Sequence, residues 1–424
     1  MSRPDPSHSP DHGAEIGLAR PAEPATITLI KDVRVFDGER TIPRADVVIR
    51  DDVIEAVSRS PLRTDAWTHR VDGAGLTLLP GLIDSHTHAL PGGLAQALRF
   101  GVTTELDMFS VPGLFADVRR QARDRDDVAD VRTSSVGANA PGGHPHQLMG
   151  EVFGPLPGVR DADDAKAFVA ARVEDGADYL KIIIEDGAGM GSRLPTLEPA
   201  TVEALVRAAH EAGLQAIAHA TTLDATEIAL NAGVDGLAHL CFEPCPDPEE
   251  FAAKLAQHGV FVTATLALLE AFTVQGGTEL AADERIGPHL DGSTRAALGR
   301  ALPGAPLLPG RVFDSALAVT GALHRAGVPI LAGTDANDGP HGPFPVVHGA
   351  SLHRELCLLV QAGLSAAEAL AAATSVPARQ FGLTDRGRIA PGLRADLLLV
   401  AGDPTVRITD TRSISAIWRR GARR

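Results

Sequence analysis

The 424-residue sequence is poor in the residues that cross-link or anchor small folds: it holds 3 Cys, 2 Trp, 1 Tyr and 4 Met. Cys241, Cys245 and Cys357 are too few and odd in number for a disulfide framework, and a reducing, cytoplasmic setting fits them best. Cys241-x3-Cys245 has no partner pair nearby, which makes it a weak candidate for a metal clip. Positive charge is also scarce. With 39 Lys and Arg against 54 Asp and Glu, the net charge of −15 repels phosphate backbones and argues against a nucleic-acid partner. No apolar run approaches the roughly 18 residues of a membrane span, so no membrane partner is expected. The opening "MSRPDPSHSPDHGAEIGLARPAEPA" has no apolar h-region of a signal peptide. Its Pro, Ser and charge content predicts a disordered tail over residues 1–25.

What remains is a chain with 44% hydrophobic residues, long enough for one large α/β domain and a smaller one. From about residue 26, "ATITLIKDVRVFDG", "ADVVIRDDVIEAV" and "VDGAGLTLLP" alternate apolar with polar residues between Asp-Gly turns, a short-strand pattern. The far end, "RGRIAPGLRADLLLVAGDP" and "SISAIWRRGA", reads the same way. Both ends therefore predict one small β-sandwich, from residues 26–79 and 382–424. Between them, residues 80–381 alternate eight strand candidates with amphipathic helices: "GLIDSHTH", "GVTTELDM", "VRTSSVGANA", "DYLKIIIED", "LQAIAHA", "VDGLAHL", "VFVTATLAL" and "VPILAGTDA". Helical runs such as "TVEALVRAAHEAG" end on glycine before the next strand. Eight such units predict an α/β fold of the (β/α)8 TIM-barrel type, with a doubly wound open sheet as the alternative. Barrel chemistry sits where strands end, so polar groups are sought there.

"LLPGLIDSHTHAL" ends an apolar strand in His86 and His88, which alternation puts on one face. The pair alone is weak: with 16 His, chance gives roughly 0.6 His-x-His pairs, and "HPH" at His144 and His146 is a second. Other strand ends decide the matter. Lys181, His219, His239 and Asp335 each sit at the end of an apolar strand, where an unpaired charge or ring nitrogen is costly. Four His, a Lys and an Asp converging on one mouth read as a metal site.

Through "PGLIDSHTH", "DYLKIIIEDG", "AIAHA", "GLAHL", "AGTDA" and "GLRADLLLV", residues 26–424 resemble the amidohydrolase superfamily of metal-dependent hydrolases. Within it the chain is most similar to the imidazolonepropionase-related branch with Xaa-Pro dipeptidases, ochratoxin amidase and aryl-urea hydrolases. The resemblance implies two divalent ions, with His86, His88 and Asp335 holding one and His219 and His239 the other. It implies that Lys181 bridges them as a carboxylated lysine, since a carbamate offers two oxygens and a negative charge where an ammonium would be repelled. Zn suits imidazole and carboxylate best; Co, Mn and Fe remain alternatives. Asp335, with Lys181 and His239, would be catalytic, Asp335 moving the proton in hydrolysis of an amide, urea or carbamate C–N bond.

Loops should set the substrate. His144 and His146 after the third strand, and Asn337, His341 and His348 after the eighth, are candidates to face it. Residues 265–310 exceed an ordinary connection and suit a lid. The loops carry few cations (Arg193, Arg285, Arg295, Arg300) and several phenylalanines (Phe109, Phe115, Phe153, Phe242, Phe272, Phe344). That favours a small, neutral, aromatic substrate over a charged dipeptide. The alternatives are an Xaa-Pro-type dipeptidase or carboxypeptidase, a mononuclear deaminase or cyclic-amide hydrolase, and a non-catalytic scaffold. A homo-oligomer is expected.

Overall fold

A computed structural model describes residues 25–62, 68–147, 154–273, 277–299, 307–337 and 345–424. The tail expected over 1–25 lies almost wholly outside these residues, as do His341, Arg300, Phe153 and Phe344.

Both chain ends build one sheet. Strands β1 (Ile27–Phe36), β2 (Thr41–Arg50), β3 (Val53–Ser58), β4 (His69–Asp72) and β5 (Leu76–Pro80) come from the beginning, and β14 (Leu397–Ala401), β15 (Ile414–Arg419) and β16 (Ala422–Arg423) from the end. They run in the order β16-β15-β14-β5-β1-β2-β3, with β4 paired to β1. Alternation explains the register. Ile30, Val33, Val35, Val47, Ile49, Leu78, Leu397, Leu399 and Trp418 bury together in one apolar cluster, the product of period-2 patterning.

The intervening chain supplies parallel strands β6 (Leu82–Thr87), β7 (Val102–Asp107), β8 (Asp130–Thr133), β9 (Leu180–Ile184), β10 (Ala216–Ala220), β11 (Gly236–Ala238), β12 (Phe261–Thr263) and β13 (Ile330–Leu331). They form two sheets, β6-β7-β8 and β13-β12-β11-β10-β9. Parallel bridges Thr87↔Ala336 and Ala138↔Ile182 join their edges, so the eight strands curl in chain order. Leu180, Ile182 and Ile184 of β9 and Ala216, Ala218 and Ala220 of β10 pack into the large cluster shared with the helices. Alternation then turns Lys181 and His219 to the opposite, inner face. A helix such as Pro199–Glu211 buries Val202, Leu205, Val206 and Ala209 on one stripe, with Pro at its start.

Several strands are shorter than their apolar runs. "VFVTATLAL" gives only Phe261–Thr263 before a helix at Leu266–Ala271, and "VPILAGTDA" only Ile330–Leu331. Here the backbone turns left-handed, at His239 (φ 76°), Thr265 (φ 47°) and Asp335 (φ 61°), and leaves the β ladder to aim side chains inward. Gly333, two residues before Asp335, lets the chain pass close against β6 and β12. A Cβ there would lie 2.4 Å from Thr263 Cγ2 and 2.9 Å from the His86 nitrogen.

Of the segment read as a lid, residues 277–299 form their own small core: Leu280, Ile286, Leu290 and Leu298 pack with Phe100, Val347 and Ala350. Arg412 clamps the segment through Glu279 and, at 2.7 Å, Asp283. No helix among the described residues is long and apolar enough to cross a membrane.

Candidate metal centre

Strand ends bring the predicted residues together. Asp335 stands among three imidazoles, its Oδ1 3.4 Å from His86 Nε2 and 2.8 Å from His88 Nε2, its Oδ2 4.0 Å from His239 Nε2. Donor atoms of His86, His239 and Asp335 lie within 4.8 Å of one another. The His239 ring is centred 4.5 Å from His86 and 4.8 Å from His219. Lys181 is buried beside them, and its Nζ has no hydrogen-bond partner among the described residues. Seven non-glycine residues have positive φ among those described, and His239, Thr265 and Asp335 are three of them. Such backbone costs about 1–3 kcal/mol per residue, and its clustering marks a functional site.

The electrostatics suit a cation. Burial pushes His86 and His239 well below the ordinary histidine range, so both rings are neutral lone-pair donors. Burial works against the Asp335 anion, yet His86 and His88 hold its pKa well below the carboxylate range. Burial also lowers Lys181, to about 7, against the pull of Asp335 and Asp107. His88 donates from Nδ1 to the Phe109 carbonyl (3.2 Å); burial works against its cation, but the bond between its Nε2 and Asp335 (2.8 Å) raises its pKa above the usual histidine value. His239 Nδ1 is occupied by Thr265 Oγ1 at 3.0 Å. The neutral rings of His86 and His239, the Asp335 anion and a buried lysine make a donor set that suits a divalent ion.

The other sequence candidates divide. His144 stacks on His219 with centroids 5.1 Å apart, and burial, then His219, pushes it down to about 3. His146 bonds through its backbone to Gly143, and its ring has no partner at the site among the described residues. Asn337, two residues past Asp335, has its Oδ1 buried and without a partner among the described residues. His348 is a correction. It is fully buried, its Nδ1 2.8 Å from Glu105 Oε1 and its ring against Gly93, so it does not face the mouth. Phe115, Phe242 and Phe272 all belong to the large core cluster; of these, Phe242 packs edge-on against Phe272 at 5.5 Å with its ring centred 6.2 Å from His239. Tyr179 is buried below Lys181, donating to the Asp107 carbonyl at 2.9 Å. Burial pushes the Cys241 thiol up to about 12, away from the thiolate a metal needs.

Sequence reasoning missed Glu185 and Asp84. Glu185 shares a strand face with Lys181, and its Oε2 lies 3.3 Å from His219 Nε2. Asp84, two residues before His86, accepts from Thr334 Oγ1 (2.7 Å) and N (3.0 Å) and from the His86 N–H (3.2 Å). Counting by twos from Lys181 and from His86 would have found both.

Comparison with known proteins agrees with this geometry. The amidohydrolase family profile matches residues 77–422. Over 381 residues the chain is 28% identical to an imidazolonepropionase of Cereibacter sphaeroides, covering 86% of this chain and 90% of that one. A solved Xaa-Pro dipeptidase with methionine bound superposes at a TM-score of 0.74 with 20% identity, covering 94% of this chain and 100% of that chain. Phenylurea hydrolase B superposes at 0.71 with 21% identity, covering 94% and 97%. At these identities the structural likeness establishes the fold they share and not the substrate.

Proposed function

The chain belongs to the amidohydrolase family, and from that premise we propose that it is a binuclear metal-dependent hydrolase cleaving the C–N bond of a small, neutral, aromatic amide, urea or carbamate. One observation carries the binuclear reading: Lys181 Nζ is buried without a partner among neutral histidines. A buried amine so placed is costly, and a carbamate on it would turn the cost into two anionic ligand oxygens. His86, His88 and Asp335 would hold one ion and His219 and His239 the other, with carboxylated Lys181 between. Zn fits these donors. When bound, the ions supply Lewis acidity that polarises a carbonyl and brings a water's pKa towards neutrality.

The chain's own groups do the rest. Asp335, anionic and seated between His86 and His88, accepts the proton of the attacking water and delivers it to the leaving nitrogen. Neutral His144 and the open Asn337 Oδ1 orient the polar part of the substrate. Phe242 and Phe272 form an apolar wall for an aryl group. His146 and His341 complete the set of loop candidates. We read the eight curled strands as a (β/α)8 barrel over 80–381 and the terminal sheet as a β-sandwich over 26–79 and 382–424. A cytoplasmic homo-oligomer acting on a small molecule is the accompanying proposal. A mononuclear deaminase or cyclic-amide hydrolase is the second reading, favoured by the cluster of His86, His239 and Asp335 as a complete single site.

The test is metal content per chain, measured by plasma mass spectrometry, with a screen of amides, ureas, carbamates, lactones and dipeptides on metal-loaded enzyme. Two ions per chain and chelator-sensitive turnover are expected. One ion supports the mononuclear reading, and full activity after metal removal overturns both.

A further inference from the structure

We propose that a cavity at the strand beginnings, away from the metal centre, binds a small organic monocarboxylate with an apolar body, its carboxylate held by Arg132. The proposal stands whatever the metal centre does. The cavity measures about 320 Å³, at the lower end of the range for small-molecule pockets. It is built where strands start. Arg132 lies in β8, Asp178 and Tyr179 come directly before β9, and Gln215 comes directly before β10. The chain just past the helix Ser375–Gln380 supplies the rest of the lining.

One part of the lining is apolar. Phe381 meets Tyr179 edge-on with ring centroids 5.2 Å apart, and Leu383 packs in the same cluster. The Tyr179 hydroxyl is spent on the Asp107 and Arg132 carbonyls, at 2.9 and 3.2 Å, so this residue offers its ring. The polar part holds donors that are not spent. Among the described residues the Arg132 guanidinium makes one hydrogen bond, from Nη1 to the Val131 carbonyl at 3.0 Å. The carboxylates of Asp130 and Asp178 stand beyond bonding distance from it, at 3.6 and 3.7 Å. The Gln215 amide and the Thr384 hydroxyl bond to no described residue.

The acids nearby are already matched. Asp178 Oδ2 accepts from Arg119 (2.7 Å) and from the Thr133 N–H (2.9 Å). Asp385 takes Arg386 on both oxygens, at 2.7 and 3.0 Å, and Asp130 takes Arg386 and Arg394. Arg132 is thus the cation of the lining left without a close anion, and a guanidinium fork suits one carboxylate. A second negative charge on the ligand would meet Asp178 and Asp385, which sets the limit at one. Phe381 and Leu383 take the apolar body.

The test uses para-bromobenzoate on the metal-loaded full chain, by titration calorimetry and in soaked crystals, where anomalous scattering locates the bromine. Saturable binding in solution and a bromine peak beside Phe381 are expected, whether or not a second peak marks the metal centre. Arg132→Gln should weaken binding about tenfold or more, and Gln215→Ala about 2–10-fold. Gln215→Ala removes a side chain with no bond to lose, so it remains informative if Arg132→Gln does not fold. Terephthalate, para-bromobenzamide and para-bromobenzylamine should each bind at least about tenfold more weakly than the monoacid. A bromine peak at the metal centre alone, no peak, or a peak without saturable heat in solution would overturn the proposal. So would unchanged affinity in the variants, or a diacid, amide or amine that binds as tightly as the monoacid.

Discussion

The backbone N–H of Asp335 donates to the carbonyl of His86 at 2.8 Å. The last parallel strand thereby hands its carboxylate to the first, and this main-chain bond helps hold Asp335 in its left-handed conformation. Thr334, bonded twice to Asp84, braces the same turn.

Asp335→Asn should accordingly keep the fold and much of the bound metal, since that backbone bond survives. Turnover should fall by roughly 100-fold or more, because the proton acceptor is gone. Saturating kinetics on the metal-loaded variant check this. An unchanged kcat would assign the base role to another group.

Lys181→Ala removes the buried amine and, with it, the proposed bridge. Metal content and activity should both drop, and added short carboxylic acids should restore part of the activity by supplying the missing oxygens. Full activity with full metal content in the variant would end the bridging role.

Asp130 gives a prediction away from the site. Burial opposes its charge, but Arg386, Arg394, Arg419 and Arg132 surround it and hold its pKa well below the ordinary carboxylate range. It joins strand β8 to arginines on and beside the terminal sheet, with Arg394 at 3.1 Å. Asp130→Asn should destabilise by about 1–3 kcal/mol at pH 7, because buried Arg386 and Arg419 each lose one of two anions, keeping Asp385 at 2.7 Å and Asp396 at 3.4 Å. The sign with pH follows from a depressed carboxylate. Its contribution is complete above the unfolded value near about 3.9 and is lost as pH falls through the lower folded value. Denaturant titrations of both proteins should show the same gap at pH 7 and pH 5 and a smaller one below pH about 3. A gap that shrinks already at pH 5 would show that Asp130 is not held ionised by these arginines.

How much of this was legible in the sequence depends on range. His86, His88, Lys181, His219, His239 and Asp335 could be found because each interrupts an apolar run at its end. Glu185 was equally readable by alternation, but "IIIED" looks like a strand passing into a turn, where acidic residues are unremarkable. The shortened strands were not readable. Left-handed turns at non-glycine His239, Thr265 and Asp335 violate local preference and persist only through tertiary bonds such as His239 to Thr265. His348 was misplaced because its partner, Glu105, is 243 residues away in sequence. The lid reading of residues 265–310 came from local "GG" and charge, while Arg412, which binds Glu279 and Asp283 within that segment, is distant in sequence.

Substrate polarity is the last expectation, and the structure sharpens its basis. A pocket for a free carboxylate needs a cation. Arg285 is committed to Asp283 and the Thr409 carbonyl, and Arg295 to the Ala281 carbonyl. Arg193 has its side chain 89% exposed and pairs loosely with Asp186 at 3.6 Å. What lies near His219 and His239 instead is the anion of Glu185 and the Phe242–Phe272 pair. A neutral aryl amide or aryl urea should therefore show a higher kcat/KM than any Xaa-Pro dipeptide, because the dipeptide's carboxylate would be desolvated without a partner. Side-by-side kinetics on the metal-loaded enzyme decide it. A preference of tenfold or more for the dipeptides would reverse the assignment and require a cation to swing into the mouth, for which Arg193, exposed and only loosely paired, is the first to substitute.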